Sequence, residues 1–500
     1  MLEILINLLV EYKAVIVVCL LPFACWKYYQ AFSPKLRKLD VPSIDGVPSL
    51  YGTEFCTSIF EGTRKFPDQV FKLNTSNYET VIIPARFIDE LKSAPESAIS
   101  LGMELYERQL GRYTLIGTVG RDHRFVNAIR QDLNRNLAAT LPSLLAEVEY
   151  ATQASVGPVH AWKPVPIYST SLRIVALLTG RVFVGLPLSR SEAWVKTSVE
   201  LTVDTFVAAF ALWKIHWTLR PVVAWLMPQI WRIHRRNRHA GALLKPYLEQ
   251  RLQNMQNQDF KKPVDMLQFF VDNMPNHDPH YQAMLQSAIN VAAIHTTSMN
   301  VTNTLYDLAA RPEYVKPLRE ELDSVLSKCD GILDKNALVK MRKMDSFLRE
   351  SQRINPPGVV SMSRKVESDT ILSDGTLLPK GCLIACDSWS STRDPDLWDD
   401  PEKFDGFRFE KLRDIPGNES KYQFVTTGPR NMAFGHGAHS CPGRFFVANE
   451  IKILMAYIIR NYDIKLKDGE ERPKNFYNNI MILPDHNAEL LFRSRDPKSV

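Results

Sequence analysis

The segment from Phe434 to Arg444 constrains this chain more than any other part of its sequence. It reads Phe-Gly-His-Gly-Ala-His-Ser-Cys-Pro-Gly-Arg and places Cys441 in a glycine-rich turn. The apolar segment from Phe445 to Ile459 follows directly and predicts a helix. A thiolate at this point lies near the positive end of the helix dipole, which favours its charged form. The segment therefore predicts a charged, metal-binding sulfur at the start of a helix.

The neighbours of Cys441 suit a flat cofactor that carries a metal. Gly437 and Gly443 let the backbone approach such a cofactor without an intervening Cβ. Phe434 can shield one side of the sulfur, and backbone N–H groups around Cys441 can donate hydrogen bonds to it. A single thiolate ligand to heme iron pushes electron density towards O–O cleavage. In this Phe-x-x-Gly-x-x-x-Cys-x-Gly pattern the chain resembles the cytochrome P450 family.

A zinc site is the alternative that these residues raise. His436, His439 and Cys441 lie close together, and Cys382 and Cys386 precede them. Structural zinc sites usually show paired ligands at tight spacing, such as Cys-x-x-Cys. Cys382 and Cys386 instead lie in an apolar run that predicts a buried strand. The sequence therefore favours heme over zinc, and an enzyme over a non-enzymatic zinc or membrane scaffold protein.

A charged pair upstream belongs with the cysteine loop. Glu350 and Arg353 are three residues apart and share one helix face, and the proline pair at 356–357 ends that helix at once. In the family that the chain resembles, this pair and a later arginine, here Arg408, form a buried triad behind the heme loop. Buried charges persist only when they are paired, so we interpret the triad as structural.

The segment from Tyr281 to Arg311 predicts a helix of about 45 Å. The resemblance implies that this helix crosses the heme. It contains Ala292-Ala-Ile-His-Thr-Thr, and the resemblance implies that the Thr296 hydroxyl bonds iron-bound dioxygen. Ala293 replaces the usual glycine of the family pattern, and His295 replaces the usual acid. A histidine can pass protons near neutral pH or simply bond a neighbouring backbone group, and the sequence leaves both roles open.

The resemblance also implies contacts to the heme propionates. His439 and Arg364 fit two of the usual positions. Ala438 stands where relatives usually have an arginine, and the Trp-x-x-x-Arg element of many relatives is absent, which leaves Arg130 as a further candidate. The thiolate bond and a large apolar pocket are expected to hold the heme as well.

Composition and motif order indicate one large domain. The chain has 500 residues, 45% apolar and 10% aromatic, and its motifs run in one order without an internal repeat. The resemblance implies the cytochrome P450 fold, mainly α with smaller β-sheets (α+β), over residues 31–500. A net charge of +6 is mild and indicates no nucleic-acid partner. Seven irregularly spaced cysteines suit a reducing compartment.

The N-terminus predicts a membrane anchor over residues 1–30. Ile4 to Trp26 is apolar apart from Glu11-Tyr-Lys13, and as a helix it would span about 34 Å, enough for a bilayer core of about 30 Å. Basic residues at 35, 37 and 38 place the rest of the chain in the cytoplasm. We therefore predict a single-pass protein of the endoplasmic reticulum membrane with a cytoplasmic catalytic domain.

A second lipophilic region runs from Phe206 to Trp231 and ends in a basic run at 232–238. Tryptophan beside arginine suits a membrane interface. In the family that the chain resembles, this region forms the roof of the substrate channel. Core helices with a solvated basic face are the alternative, and the tryptophans can be divided between pocket and bilayer.

The resemblance implies a monooxygenase that inserts oxygen into a C–H bond, with heme b as cofactor. Cys441 would be the axial ligand and Thr296 would orient the protons. The chain has no Gly-x-Gly-x-x-Gly motif, so electrons must come from a separate protein. The expected partner is NADPH-cytochrome P450 reductase docked on a basic face near the heme loop, with cytochrome b5 as a second candidate donor.

The expected substrate is a lipophilic small molecule. The chain resembles fungal enzymes of secondary metabolism that oxidise diterpenoids, indole diterpenes and related terpenoids. Alternatives are a fatty-acid or xenobiotic hydroxylase, and a heme-thiolate isomerase or dehydratase that does not use dioxygen, for which His295 is the hint. The family's contact regions give these candidate pocket residues: Ala292, Val359, Val360, Ser361 and Ile480.

Overall fold

The computed structural model describes residues 39–49, 52–75, 79–115 and 118–495. The predicted membrane anchor at residues 1–30 lies outside this part of the chain. Among the residues described, no helix has both the length and the apolar character that a bilayer crossing requires.

Helices make up most of the structure and confirm the predicted mainly helical architecture. In chain order they are α1 (Cys56–Lys65), α2 (Ile88–Leu91), α3 (Leu101–Arg108), α4 (Gly111–Thr114), α5 (His123–Asn127), α6 (Leu137–Ser155), α7 (Ile167–Phe183), α8 (Glu192–Trp213), α9 (Arg220–Leu226), α10 (Pro228–Asn254), α11 (Met266–Asn273), α12 (Pro279–Ala309), α13 (Val315–Ser327), α14 (Lys335–Lys340), α15 (Arg342–Ile354), α16 (Arg408–Arg413) and α17 (Arg444–Asn461). A π-helical turn, Ala128–Leu133, follows α5.

The strands form small sheets at the edge of the helical body. They are β1 (Ser43–Asp45), β2 (Val47–Ser49), β3 (Gly52–Glu54), β4 (Phe71–Asn74), β5 (Glu79–Ile83), β6 (Ile99–Ser100), β7 (Lys163–Pro166), β8 (Val360–Val366), β9 (Thr370–Ile371), β10 (Leu377–Leu378), β11 (Leu383–Asp387), β12 (Tyr462–Lys465), β13 (Phe476–Asn478), β14 (Met481–Leu483) and β15 (Glu489–Ser494). The largest sheet has the order β1-β4-β5-β11-β8-β6, and a second has the order β12-β15-β7.

Helix α12 is the long helix that the sequence predicted. Asp278 caps its N-terminus by accepting hydrogen bonds from the backbone N–H groups of His280 and Tyr281, each at 3.0 Å. Pro279 occupies the first turn, where a missing N–H does no harm. The helix packs against α7, α8 and α10 and is buried over most of its length.

Two further helices begin and end close to where the sequence predicted. Helix α15 ends at Ile354, because the residue before Pro356 is disfavoured in the helical conformation. Helix α17 begins at Arg444, directly after the glycine at 443, and packs against α6, α12 and α13. The predicted strand around Cys382–Cys386 is β11, shifted by one residue.

One large hydrophobic core joins α7, α12, α15 and α17. Phe183 on α7 and Phe446 on α17 pack within it, with ring centroids 5.9 Å apart. A smaller cluster lies under the six-stranded sheet and includes Cys386. The large core therefore fixes α12 and α17 relative to each other, and the cysteine loop lies at the N-terminal end of α17.

Candidate active site

Cys441 lies at the end of a tight loop immediately before α17. Its backbone N–H donates to the Phe434 carbonyl over 2.8 Å, which closes the loop. The Phe434 ring packs edge-on against Phe424, with centroids 5.4 Å apart. The backbone N–H groups of Gly443 and Arg444 donate to the Cys441 sulfur. These N–H groups lie at the helix start, where they have no partner within the helix.

The two loop glycines act in different ways. Gly437 has φ +77°, and a Cβ there would lie 2.5 Å from the Lys92 carbonyl oxygen. The Ala438 N–H donates to that carbonyl over 2.9 Å, so the loop is pinned to the end of α2. A Cβ on Gly443 would meet no described atom within 4 Å, and Gly443 lines the cavity beside Cys441. A side chain at 443 would therefore occupy space that a flat cofactor needs, whereas Gly437 is required by a backbone contact.

Burial dominates the electrostatics of the cysteine. It raises the pKa of the Cys441 thiol, and the N–H groups of Gly443 and Arg444 together with the Arg444 charge only partly offset it. The position at the helix start predicts a favoured thiolate, but burial outweighs this effect on the pKa of the free thiol. A coordinating metal ion deprotonates a thiol outright. The loop then supplies the hydrogen bonds that stabilise the charged sulfur.

A cavity of about 240 Å³ lies between this loop and α12. Phe434, Cys441 and Gly443 form one side, and Ala292 and Thr296 on α12 also line it. The rest of the wall is mostly apolar and comprises Ile129, Leu133, Phe183, Ile289, Ala293, Thr297, Asn300, Gln352, Pro357, Ala433, Pro442, Phe446 and Val447. One sulfur in an apolar slot fits heme, a flat macrocycle whose iron takes an axial thiolate.

Thr296 lines this cavity from α12. Its Oγ1 donates to the Ala292 carbonyl over 2.7 Å, and the Asn300 amide donates to the Thr296 carbonyl over 3.0 Å. Because a hydroxyl has a single hydrogen, the oxygen of Thr296 stays available as an acceptor. Thr296 can therefore accept a hydrogen bond from a group inside the cavity.

His295, the neighbour of Thr296, has its ring nitrogens directed at α7 and α8. Its Nε2 lies 3.4 Å from the Val199 carbonyl oxygen, and its Nδ1 lies 3.2 Å from the Tyr168 hydroxyl. Burial lowers the pKa of His295, and the nearby His486 lowers it further, which favours the neutral ring. In that form Nε2 donates to the carbonyl and Nδ1 accepts from Tyr168. Of the two roles left open by the sequence, the structure shows the bond to a neighbouring backbone group.

Three residues predicted to contact the heme propionates lie around the loop. Arg130 donates through Nη2 to the Ala438 carbonyl over 2.7 Å, and His439 Nε2 lies 3.4 Å from the Glu96 carboxylate. Burial lowers the pKa of His439, and the positive charges of Arg364 and Arg130 lower it too. Arg130, Arg364 and His439 therefore share one region, where positive charge suits the two carboxylates of a heme.

Glu350, Arg353 and Arg408 form one buried ion-paired cluster. Arg353 makes a two-pronged contact with the Glu350 carboxylate, with both bonds at 2.8 Å, and Arg408 Nε lies 3.2 Å from the same group. The Glu350 side chain is fully buried. Arg353 also donates to the carbonyls of Thr392 and Pro401. The cluster therefore joins α15 to the segment that leads to α16.

The predicted substrate-pocket residues are divided between different places. Ala292 lines the cavity. Val359 is fully buried beneath the β13–β14 hairpin, where its N–H donates to the Ile480 carbonyl over 2.9 Å. Val360 packs in the same cluster, and the Ser361 hydroxyl donates to a backbone carbonyl over 2.6 Å. Val359, Val360 and Ser361 thus lie outside the wall of this cavity, because strand pairing and packing turn them elsewhere.

Ile480 lines a second recess, between α8 and the β13–β14 hairpin. The other residues of this recess are Arg108, Gln109, Phe206, Ala209, Phe210, Trp213, Asn479 and Met481. Trp213 therefore faces inward, in agreement with a channel roof. Trp225 and Trp231, by contrast, have exposed fractions of 70% and 57%.

The residues of the zinc alternative are spread over different surroundings. Cys386 is buried in the sheet cluster, with Cys382 packed against it. His436 Nδ1 lies 3.1 Å from the Thr427 hydroxyl. In the described part of the chain, no group of three His, Cys, Asp or Glu side chains is arranged to hold a metal ion.

Asn300 and Gln352 also line the cavity, and neither is among the site residues predicted from the sequence. Asn300 follows Thr296 by four residues, so it lies on the same face of α12. Gln352 stands inside the Glu350–Arg353 motif, and its amide donates to Asn300 over 3.3 Å. The sequence signal for Asn300 is a polar side chain one turn after Thr296. No such local signal points to Gln352, which lies on a helix distant in sequence.

Known proteins match the parts of this chain that contain the elements of the site. The family model described as Cytochrome P450 matches residues 180–492. Cytochrome P450 monooxygenase BOA4 of Botryotinia fuckeliana is 40% identical, over 95% of this chain and 95% of its own length. Cytochrome P450 monooxygenase prx8 of Penicillium rubens is 37% identical, over 95% of this chain and 89% of its own length.

A solved structure shares the fold. The retinoic acid bound cyanobacterial CYP120A1 superposes with a TM-score of 0.66 at 19% identity, over 92% of this chain and 100% of its own. The family match includes α12, α15 and the cysteine loop, which together build the cavity. The chain therefore belongs to the cytochrome P450 family, and it is a monooxygenase that binds heme through a cysteine thiolate.

Proposed function

We propose that this monooxygenase oxidises a neutral, lipophilic terpenoid, such as a diterpenoid, indole diterpene or meroterpenoid, in fungal secondary metabolism. The observation that carries the proposal is the cavity wall, in which the described residues include no Asp, Glu, Lys or Arg. Arg108, the cation of the second recess, is paired at 2.8 Å with the buried Glu104. A free carboxylate would find no unpaired cation in these walls, so they favour a terpenoid over a fatty acid.

The bound heme supplies the activation of dioxygen. The chain's own residues hold the heme, orient the reacting groups and keep water out. Cys441 holds the iron, and its loop N–H groups stabilise the charged sulfur. Phe183, Phe446 and neighbouring apolar side chains keep bulk water from the cavity. The hydroxyl oxygen of Thr296 lies at the cavity and can accept a hydrogen bond there. Each turnover takes up one dioxygen, two electrons and two protons and yields the hydroxylated product and one water.

The electrons are proposed to come from NADPH-cytochrome P450 reductase, with cytochrome b5 as a second donor. Arg135 and Arg430 are both exposed; Arg135 follows Arg130 by five residues and precedes α6, and Arg430 precedes the cysteine loop. An acidic flavoprotein surface fits exposed cations at these positions. Charge reversal at Arg135 and Arg430 is expected to slow reduction by the reductase, more strongly at low salt, while chemical reduction of the heme is unchanged.

The enzyme is further proposed to reside in the endoplasmic reticulum membrane, anchored by residues 1–30. Exposed apolar side chains around α9 support a second contact with lipid, since Trp225, Trp231, Val222 and Leu226 are all more than half exposed. Tryptophan favours the interface between lipid and water.

Lipid contact is testable in the full chain. In vesicles of brominated phosphatidylcholine, the tryptophan fluorescence should be quenched. The changes Trp225→Phe and Trp231→Phe should each reduce that quenching, whereas Trp194→Phe, at a site only 3% exposed, should not. Equal quenching in all three variants would contradict contact of α9 and α10 with lipid.

The substrate class is tested by spectral titration of the ferric enzyme. The panel contains cyclic diterpenes, indole diterpenes, meroterpenoids and fatty acids, each added to the membrane-bound protein. A low-to-high-spin shift with terpenoids and product formation with NADPH and reductase are expected. A shift with fatty acids alone would contradict the terpenoid assignment and indicate lipid hydroxylation.

A further inference from the structure

A column of polar side chains runs along one face of the C-terminal half of α12. Thr296, Asn300, Asn303 and Asp307 are spaced by four, three and four residues, which places them on one stripe of a helix. The half of α12 that carries them is otherwise packed in the large hydrophobic core. Polar groups in such surroundings are costly unless they are bonded, so their partners define what the column does.

The inner end of the column opens on the active-site cavity. Thr296, Asn300 and Gln352 all line it. The Asn300 amide donates to the Thr296 carbonyl over 3.0 Å, and the Gln352 amide donates to Asn300 Oδ1 over 3.3 Å. The side chains of Asn300 and Gln352 are thus hydrogen-bonded to each other, and Asn300 also bonds the backbone of the residue whose hydroxyl faces the cavity.

The outer end of the column reaches towards the surface. Arg472 Nε donates to Asp307 over 2.6 Å, and Arg472 Nη2 donates to Asn303 and Asn355, each over 3.0 Å. The Ser351 hydroxyl donates to the other Asp307 oxygen over 2.7 Å. The Arg472 side chain is 18% exposed, whereas Asp307 is fully buried. This cluster gives a polar connection from the protein surface to Asn303, in the C-terminal part of α12.

One buried acceptor between the two ends has no partner. Gln352 is 3% exposed, and its Oε1 is bonded to no other described residue. Gln352 is adjacent in α15 to Ser351, which belongs to the outer cluster. Leaving a buried acceptor unpaired costs about 1–3 kcal/mol, and a buried water usually satisfies such a group. Gln352 Oε1 is therefore a place for a water between the inner and outer ends.

Position 295, where the family pattern usually has an acid, contributes no side chain to this column. His295 is bonded to Val199 and Tyr168, and it is not among the residues that line the cavity. We propose that Asn300 and Gln352 act as positioning residues, which hold a water that relays protons from solvent at the Arg472–Asp307 cluster to Thr296. The proposal rests on the monooxygenase activity of the family and not on the identity of the substrate.

The role follows from the proton balance of the reaction. Productive turnover joins RH, O₂, two electrons and two protons to give ROH and water. When protons are delivered to the wrong oxygen or too late, the same two electrons and two protons convert O₂ to H₂O₂, and RH is unchanged. With added H₂O₂ as oxidant, RH and H₂O₂ give ROH and water without NADPH or protons from solvent. A defect in proton delivery therefore affects the NADPH reaction and spares the peroxide reaction.

The test uses the full-length heme enzyme with its reductase, and its probe is the compound of the spectral panel that gives the largest spin shift. Asn300→Leu and Gln352→Leu should keep heme and the spin shift. They should lower product per NADPH by about tenfold, less than the roughly 100-fold of a direct proton-transfer group. Released H₂O₂ should rise, the solvent isotope effect should increase, and peroxide-driven turnover should be retained. Asn300→Ser, which still bonds water, should recover part of the coupling.

Thr302→Val is the matched control, since Thr302 is fully buried on α12 and lies off the polar column. A crystal structure should show a water at Gln352 Oε1 that is absent in Gln352→Leu. Coupling as high in both leucine variants as in Thr302→Val would overturn the proposal, as would an equal loss with NADPH and with peroxide. Absence of product from the unaltered enzyme with either oxidant is a different result and would contradict the substrate proposal.

Discussion

At the scale of single residues, this protein keeps several buried carboxyl groups, and their partners decide their charge. Glu350 is fully buried but faces two arginines. Glu450 on α17 is equally buried, and among the described residues it accepts one neutral hydrogen bond, from the Thr179 hydroxyl over 2.9 Å. Burial raises the pKa of Glu450 to about 8, and the Thr179 bond offsets this only in part. Replacement by glutamine is therefore expected to have opposite effects on stability at these two positions.

Glu350→Gln should strongly destabilise the protein, because it leaves Arg353 and Arg408 buried without a counter-charge. The expected loss in the free energy of unfolding is about 3 kcal/mol or more, measured by denaturant unfolding. The control is Glu320→Gln, since Glu320 forms an exposed pair with Lys316. It should change stability by less than about 0.5 kcal/mol. Similar small effects of both changes would contradict the structural role of the triad.

Glu450→Gln should instead stabilise the protein at neutral pH. In the unfolded chain Glu450 ionises near its ordinary pKa of about 4.3, while burial in the folded protein keeps it protonated up to about pH 8. Stability is therefore lost as the pH rises between these values, and the loss stops above the folded pKa. Glutamine keeps the shape of the side chain but cannot ionise, so the loss of stability with rising pH that Glu450 causes disappears. Denaturant unfolding should show equal stability near pH 4 and a more stable variant near pH 8, and a variant that is less stable near pH 8 would contradict a protonated Glu450.

At the scale of elements, the cysteine loop depends on one backbone contact. Gly437 combines a positive φ with a Cβ position that would clash with Lys92. Gly469 has a similar φ of +83°, but nothing lies within 4 Å of its Cβ position in the described part of the chain. Comparing substitutions at Gly437 and Gly469 therefore separates the effect of the steric contact with Lys92 from the strain of a positive φ.

Gly437→Ala should cost about 2 kcal/mol more in the free energy of unfolding than Gly469→Ala, because overpacking adds to the strain of a positive φ. It should also lower the heme content of the purified protein, since the loop must move away from Lys92. Heme absorbance per protein and denaturant unfolding check both effects. Equal losses in the two variants would show that the contact between Gly437 and Lys92 has no role.

At the scale of the whole molecule, local patterns predicted the elements better than they predicted the contacts between them. The helix over α12, the end of α15 before Pro356 and the start of α17 after the loop all follow from proline, glycine and apolar periodicity. The ring of His295 could not be placed in this way, because Tyr168 and Val199 come from helices about a hundred residues earlier.

The candidate site shows the same division. The positions of Cys441 and Thr296 on the cavity followed from motifs within a few residues of each. Val359 could not be placed, since its direction is set by pairing with the β13–β14 hairpin. Gln352 and Asn300 are 52 positions apart in the sequence and lie on different helices. Their hydrogen bond could therefore not be predicted without the packed structure.

The bond between Cys441 and heme iron is the feature on which the assigned activity depends most directly. The measurement is the carbon monoxide difference spectrum of the reduced, full-length protein and of Cys441→His, with heme content determined in parallel. The unaltered protein should show the strongly red-shifted Soret band of a thiolate-ligated heme, and the variant should lose that band even where heme is retained. A red-shifted band that persists in Cys441→His, or a fully heme-loaded native protein without one, would contradict the assignment.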